Sequence, residues 1–246
     1  MHVIQSSRPP SVKHLQEKQP YLQDGVSLES FEHVSSIQDV WQLLPTQDIL
    51  TLSNFYGHSK QSSVDEVHEG WKDILFAGHS KDTSYFVQNN SSILTQLRWK
   101  DEMYGGLVKD IRGTLSLATS LSLSILPQNY YTPTLEASHA KTYIHCGMGS
   151  LRVRLVHPRF STVLTQDMLE KTIDLWNPAF QDLPHLKQLK YTDVYVHEGQ
   201  TLFIPPWWFY SCYAAKDVAY IRGEEESIVS GLVRFPGIIG SMIDEP

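Results

Sequence analysis

Val196-His-Glu-Gly-Gln-Thr-Leu-Phe-Ile-Pro-Pro-Trp-Trp-Phe-Tyr-Ser211 carries more information about fold than any other stretch of the 246 residues. Gly199 marks a turn and the apolar run that follows reads as a buried strand. Pro205-Pro206 interrupts the ladder as a bulge, and the aromatic run to Ser211 reads as a second strand. Adjacent strand residues point to opposite faces. Trp207-Trp208-Phe209-Tyr210 therefore makes no flat stacking platform and reads as core and rim of a β-structure.

The same character extends outward. Thr142 to Val156 and Val194 to Tyr213 are rich in Val, Ile, Tyr, Phe and Trp between Gly and Pro, and Leu115 to Ile125 alternates Leu with Ser. Alternation places Leu151, Val153 and Leu155 on an inner face and Arg152 and Arg154 on an outer one, as the cost of burying charge requires. Toward the amino terminus the pattern changes. Ser35 or Ser36 caps a predicted helix containing Val40, Trp41, Leu43 and Leu44, and Ile49, Leu50, Leu52 and Phe55 continue its apolar periphery. Ser63 to Ala77 has Val64, Val67, Trp71, Ile74 and Leu75 at helical spacing. The expected fold class is mainly β with helical cover, an antiparallel barrel of short strands. Residues 1–25 read as an extended or disordered arm and 26–246 as one domain, with a helical or mixed layer over about 26–112 and the barrel over about 113–235.

Composition narrows the function classes. With 41% hydrophobic and 19% charged residues the chain can bury one sizeable core. Its net charge of −7 and scattered Lys and Arg give no basic face for a phosphate backbone, so no nucleic-acid partner is expected. Cys146 and Cys212 are too few for a disulfide framework and read as two buried thiols of a reducing compartment. Met1 to Gln19 lacks the apolar core of a signal peptide, and Leu115 to Leu126 is too short and too rich in Ser and Thr to span a bilayer. A soluble intracellular protein with no membrane association is expected.

Three segments in order resemble the JmjC-domain, cupin-like family of 2-oxoglutarate oxygenases, most closely its asparaginyl hydroxylases acting on hypoxia-inducible factor. His145-Cys-Gly-Met-Gly-Ser-Leu-Arg-Val-Arg-Leu-Val-His-Pro158 is similar to the family's strand, glycine turn and strand ending in Leu-Phe-Pro-Pro. Ile173-Asp-Leu-Trp-Asn-Pro-Ala-Phe-Gln-Asp-Leu-Pro184 is similar to its Asp-x-x-Asn-Pro linker. Val196 to Ser211 is similar to its Gly-Asp-x-Leu-(Tyr/Phe)-Ile-Pro-x-x-Trp-Trp-His signature. The matches cover about 100 residues, from roughly 115 to 215. The resemblance implies a double-stranded β-helix (cupin or jelly-roll) barrel.

It also implies where the chemistry would lie. The family's facial triad of two His and one carboxylate leaves open positions on Fe(II) for 2-oxoglutarate and oxygen. Its His-x-Asp/Glu pair falls on Glu136 and Ser138 and its distal His on Tyr210. The lysine that pairs with the cosubstrate carboxylate falls on Leu151. None of these four degenerate positions keeps its donor type, and a Tyr phenol with an ordinary pKa near 10 seldom binds iron at neutral pH. No metal, no cofactor and no catalytic residue are therefore expected.

Other candidates are weaker. Alternation counted from Glu136 and Ser138 turns His145 outward, and His139 would need a bulge to reach inward. Asp65, Glu66, His68, Glu69 and His79 match no common ligand spacing and read as a solvated helix face. Glu224-Glu225-Glu226 reads as a solvated run at a helix start. About 20 residues follow it, broken by Pro236, Gly237 and Gly240, so neither the family's long carboxy-terminal dimer helices nor homodimerisation by that route is expected. The expected function is a non-catalytic JmjC-like scaffold or protein-binding subunit of a larger assembly. The alternative is a 2-oxoglutarate-dependent protein hydroxylase with an atypical Fe(II) centre using Glu136, His139 and Tyr210.

Overall fold

The computed structural model describes residues 3–7, 19–25, 28, 31–44, 49–53, 59–63, 66–67, 86–90, 116–161, 174–177, 186–187 and 189–227. Its elements in chain order are β1 (Ile4–Ser6), β2 (Tyr21–Gln23), α1 (Ile37–Leu43), β3 (Ile49–Ser53), β4 (Ser59–Ser63), β5 (Phe86–Asn90), β6 (Ser116–Leu126) and β7 (Leu135–Glu136). They continue as β8 (Lys141–Met148), β9 (Ser150–Val156), β10 (Tyr191–His197), β11 (Thr201–Ile204), β12 (Phe209–Ala214) and β13 (Val218–Ser227). The fold is mainly β. Nine strands form one sheet in the order β1-β2-β11-β8-β13-β6-β5-β3-β4, and four form a second in the order β10-β9-β12-β7.

From β6 onward the chain alternates between the sheets at tight corners: β8 to β9, β10 to β11 and β12 to β13 each cross over. Gly149 (φ 83°) and Gly199 (φ 73°) supply the left-handed backbone that the first two corners require. A Cβ on Gly149 would lie 2.2 Å from the Asp217 carbonyl oxygen, so the corner has no room for one.

Period-2 alternation sorts each strand between two cores. Leu151, Val153 and Leu155 of β9, Val194 and Val196 of β10, and Tyr210, Cys212 and Ala214 of β12 face Ile144, Cys146, Leu202, Ile204, Val218 and Tyr220 of the other sheet. Most are fully buried, and at roughly 1.5–3 kcal/mol per large apolar side chain this layer dominates the favourable energy. The opposite face of the nine-stranded sheet, with Leu121, Leu123, Ile125, Tyr143, Met148 and Ile221, packs under Leu28, Phe31, Val34, Val40, Trp41 and Leu44. Of the expected helical layer the described residues contain one helix, α1, with the segment before it; β3, β4 and β5 of the same stretch extend the sheet instead. Ser36 is the N-cap of α1 in a capping box with Asp39, whose carboxylate accepts hydrogen bonds from Ser35 and Ser36 and is held below its ordinary pKa.

Several expectations change. The described parts of the arm are strands: β2 pairs with β11 through Leu22 and Leu202, and β1 lies parallel to β2. Tyr21 and Leu22 are buried because they extend the two cores, a tertiary gain invisible in a segment without periodicity. Ile49 to Ser53 is a strand rather than a helix periphery, paired with β4 and β5. Glu224 to Glu226 continue β13, and Glu225 is buried against Lys141 (3.1 Å) instead of opening a helix. Ser63 and Glu66 exchange local hydrogen bonds. Trp71, Ile74, Leu75, Asp65, His68, Glu69 and His79 lie outside the described residues, as do residues 228–246.

Candidate functional site

The resemblance would place Glu136, Ser138, Leu151 and Tyr210 around the space between the sheets, and two of the four lie there. Leu151 is fully buried and part of the inter-sheet core, so an apolar side chain fills that wall. Tyr210 is 1% exposed, and burial pushes its phenol up to about 12 while Arg222 hydrogen-bonds it. Arg222 lies two residues beyond Tyr220 on the same face of β13, and Glu224 two beyond that. Glu224 Oε1 is 3.7 Å from Arg222 Nε and 3.5 Å from His139 Nδ1. A chain of polar groups, Tyr210 to Arg222 to Glu224 to His139, therefore ends the inter-sheet core.

Glu136 and Ser138 do not join it. Glu136 is exposed in β7 opposite Phe209, whereas Ala137 is fully buried, exchanging backbone hydrogen bonds with Trp207 and Trp208. Glu136 faces out while still within β7, and Ala137 and His139, two residues apart, turn toward the interior, so the phase counted for 136 and 138 is the reverse of the one observed. His145 does turn away from it, as counted, yet it is buried (1% exposed) beneath the amino-terminal cover. As a donor set for iron, Glu136, Ser138 and Tyr210 do not fit: one carboxylate faces outward, one hydroxyl is off the interior, and one phenol stays protonated near neutral pH. Among the described residues no three His, Cys, Asp or Glu side chains converge on a point that would hold a metal ion. Cys146 and Cys212 are free and buried, and burial pushes both thiols up to about 12.

A second constellation, on the outer face of the four-stranded sheet, was only half legible. Arg152 and Arg154 of β9 stand opposite Tyr195 and Asp193 of β10. Asp193 receives Arg154 Nε (2.8 Å) and Nη2 (3.0 Å), Arg152 Nε (3.0 Å) and also Arg152 Nη2. Arg154 donates Nη1 to the Leu175 carbonyl at 2.6 Å, and its guanidinium lies 4.1 Å from the Trp176 ring centroid and 4.0 Å from that of Tyr191. Burial alone would raise the Asp193 pKa, but the hydrogen bonds from Arg154 and Arg152 hold the carboxyl below its ordinary value.

The segment Asp174 to Asn177 fixes this face. Asp174 Oδ1 accepts from the backbone N–H of Trp176 (2.9 Å) and Asn177 (2.7 Å), while Oδ2 accepts from Tyr131 (2.6 Å). Trp176 Nε1 donates to Ser211 Oγ at 2.8 Å, and Ser211 Oγ donates to the Thr132 carbonyl at 2.6 Å. Around the anchored Trp176, Tyr191 and Tyr195 remain 53% exposed. The outward placement of Arg152 and Arg154 holds as direction, but Arg154 is buried because the carboxylate and two aromatic rings cover it. The available signal was the period-2 row Tyr191, Asp193, Tyr195 beside the row Arg152, Arg154.

Trp207 is the other exposed aromatic of the region, at φ 68° and 47% exposed, while Trp208, Phe209 and Tyr210 are buried on alternating sides as expected of core and rim. No described helix is long and apolar enough to cross a membrane. No protein-family model matches the sequence, and no curated protein matches it either.

Proposed function

We propose that this chain is a non-catalytic relative of the JmjC-like 2-oxoglutarate oxygenases, folded as a double-stranded β-helix, that works as a protein-binding or structural scaffold subunit. The observation that carries the binding role is the outer face of the four-stranded sheet. Two half-exposed tyrosines and an arginine are held there over a fixed tryptophan by the Asp193 clamp. Tyr, Trp and Arg are the residues that concentrate binding energy at protein interfaces. A clamped, stacked arrangement also loses little freedom on association. The two guanidinium groups are answered by Asp193 and by the neighbouring Asp174, so the patch offers aromatic surface rather than net charge. It suits a protein segment that brings an apolar or aromatic side chain with polar groups at its edge.

The strand crossings from β6 to β13 support the β-helix assignment, and the filled wall at Leu151 and buried Tyr210 support the loss of chemistry. The hydroxylase alternative needs Glu136 and His139 on one metal, whereas Glu136 is exposed and His139 turns to Glu224.

Affinity capture with the full chain, followed by calorimetric titration of each recovered partner, tests this reading. The Tyr191→Ala/Tyr195→Ala pair should weaken a true partner by an order of magnitude or more, and Glu136→Ala should leave it unchanged. Partners indifferent to the tyrosines, or 2-oxoglutarate turnover that disappears with Glu136→Ala, would overturn it.

A further inference from the structure

The covered face of the nine-stranded sheet contains a cavity that the partner-binding reading does not use. β8 presents His145 and Gly147 there. Leu28, Phe31 and Glu32 close over them, and Glu198 of the β10–β11 corner completes a space of about 220 Å³. Gly147 is what admits the aromatic wall: a Cβ at that position would lie 2.5 Å from Cε1 and Cζ of Phe31. Pockets for drug-sized ligands run to ~300–1,000 Å³, so this one suits an occupant the size of a side chain.

His145 forms part of the lining. Its ring is 1% exposed, and Nδ1 lies 2.9 Å from Thr201 Oγ1, the hydroxyl of its cross-strand neighbour. When Nδ1–H donates to Thr201, Nε2 carries the lone pair and is an acceptor. Burial lowers the His145 pKa to about 4, so the ring is neutral near pH 7 and does not repel a cation. Among the described residues, the other ionisable side chains of the lining are Glu32 and Glu198, carboxylates, which repel an anion and attract a cation. Phe31 adds a ring face of the kind that stabilises ammonium and guanidinium groups.

We propose that this cavity binds a small organic cation, an alkylammonium or guanidinium group on a short apolar stem, with Glu32 and Glu198 answering its charge, Phe31 and Leu28 its stem, and His145 Nε2 accepting one N–H. A protein lysine and a free amine share this chemistry.

The test follows the His145 ring resonances of the full-length protein by NMR while n-butylammonium is added, with n-butanol and butyrate as uncharged and anionic matches. Saturable shifts with butylammonium alone are expected. They should be weakened roughly fivefold in Glu198→Gln, whose exposed side chain can change without disturbing the fold. Nα-acetyl-lysine methylamide forms a second arm. Binding at least as tight as butylammonium assigns the site to a protein lysine, and binding of butylammonium alone assigns it to a free amine; each supports the cation site. Absence of a saturable shift with both cations, or butanol binding as well as butylammonium, would overturn it.

Discussion

Asp193 and Arg154 face one another as Cα partners across the β10–β9 ladder and are joined by two parallel hydrogen bonds, Nε to Oδ1 at 2.8 Å and Nη2 to Oδ2 at 3.0 Å. This fork holds a buried guanidinium between the Trp176 and Tyr191 rings. Removing its carboxylate leaves Arg154 buried without its counter-charge. Asp193→Ala should therefore lower unfolding free energy by on the order of 3 kcal/mol in urea titration, and should also loosen Tyr191 and Trp176.

Tyr195, whose ring is 5.8 Å from the half-exposed Arg152, contributes little to the fold, and Tyr195→Ala should change stability by no more than about 0.5 kcal/mol. Tyr191→Ala uncovers Arg154 and should cost about 1 kcal/mol of stability; each change should cost a bound partner more than about 1 kcal/mol. Thermal unfolding and calorimetry on the same variants separate the two effects.

Gly223 faces the ring of Tyr143, and a Cβ there would lie 1.9 Å from Cζ. Tyr143 is fully buried and β13 is paired on both sides, so neither has room to retreat. Gly223→Ala should destabilise by about 2 kcal/mol, within the range for overpacked cores. Tyr143→Leu in the Gly223→Ala background should recover part of that loss, readable as a double-mutant cycle in urea.

His145 makes stability depend on pH. Its folded pKa, lowered by burial to about 4, lies below the ordinary 6.5, so between those values the unfolded chain binds more protons than the folded one. The contribution is fully present above pH 6.5 and is lost as pH falls toward 4, by on the order of 3 kcal/mol. His145→Gln should flatten this part of the profile in urea titrations between pH 7 and 4.

How much of this was legible depends on whether local pattern or distant pairing decides a residue's place. Alternation in Leu151 to Leu155, and in Val196 to Ser211 two apolar runs set between a Gly turn and a Pro bulge, announced strands, and the inter-sheet core is built from them. Ser35 or Ser36 announced the start of α1 as a local cap, and the structure puts Ser36 there with Asp39 closing the capping box. Tyr21 and Leu22 carried no such pattern, because their burial comes from pairing with Phe203 and Leu202 about 180 residues away. The Glu136 to His139 count failed in phase: a strand of two residues carries too little pattern to say which face is inner, and Glu136 faces out while Ala137 and His139 face in. Glu225 looked solvated in a run of three acids because Lys141, its partner across the sheet, is 84 residues distant. The Asp193 clamp was hidden for the same reason: each strand showed its own half, and only the register joined them.

The central claim, a family fold without the family's metal chemistry, is tested most directly by thermal unfolding of the full chain with and without Mn(II) plus an analogue of 2-oxoglutarate. Each would be supplied far above the affinity of a working site. A ligand at about 100 times its dissociation constant adds roughly 2.7 kcal/mol, several degrees for a domain of this size. With Glu136 exposed, Leu151 filling the wall and Tyr210 protonated, the midpoint should not move. A metal-dependent rise of several degrees, abolished by Glu136→Ala or His139→Ala, would contradict the claim.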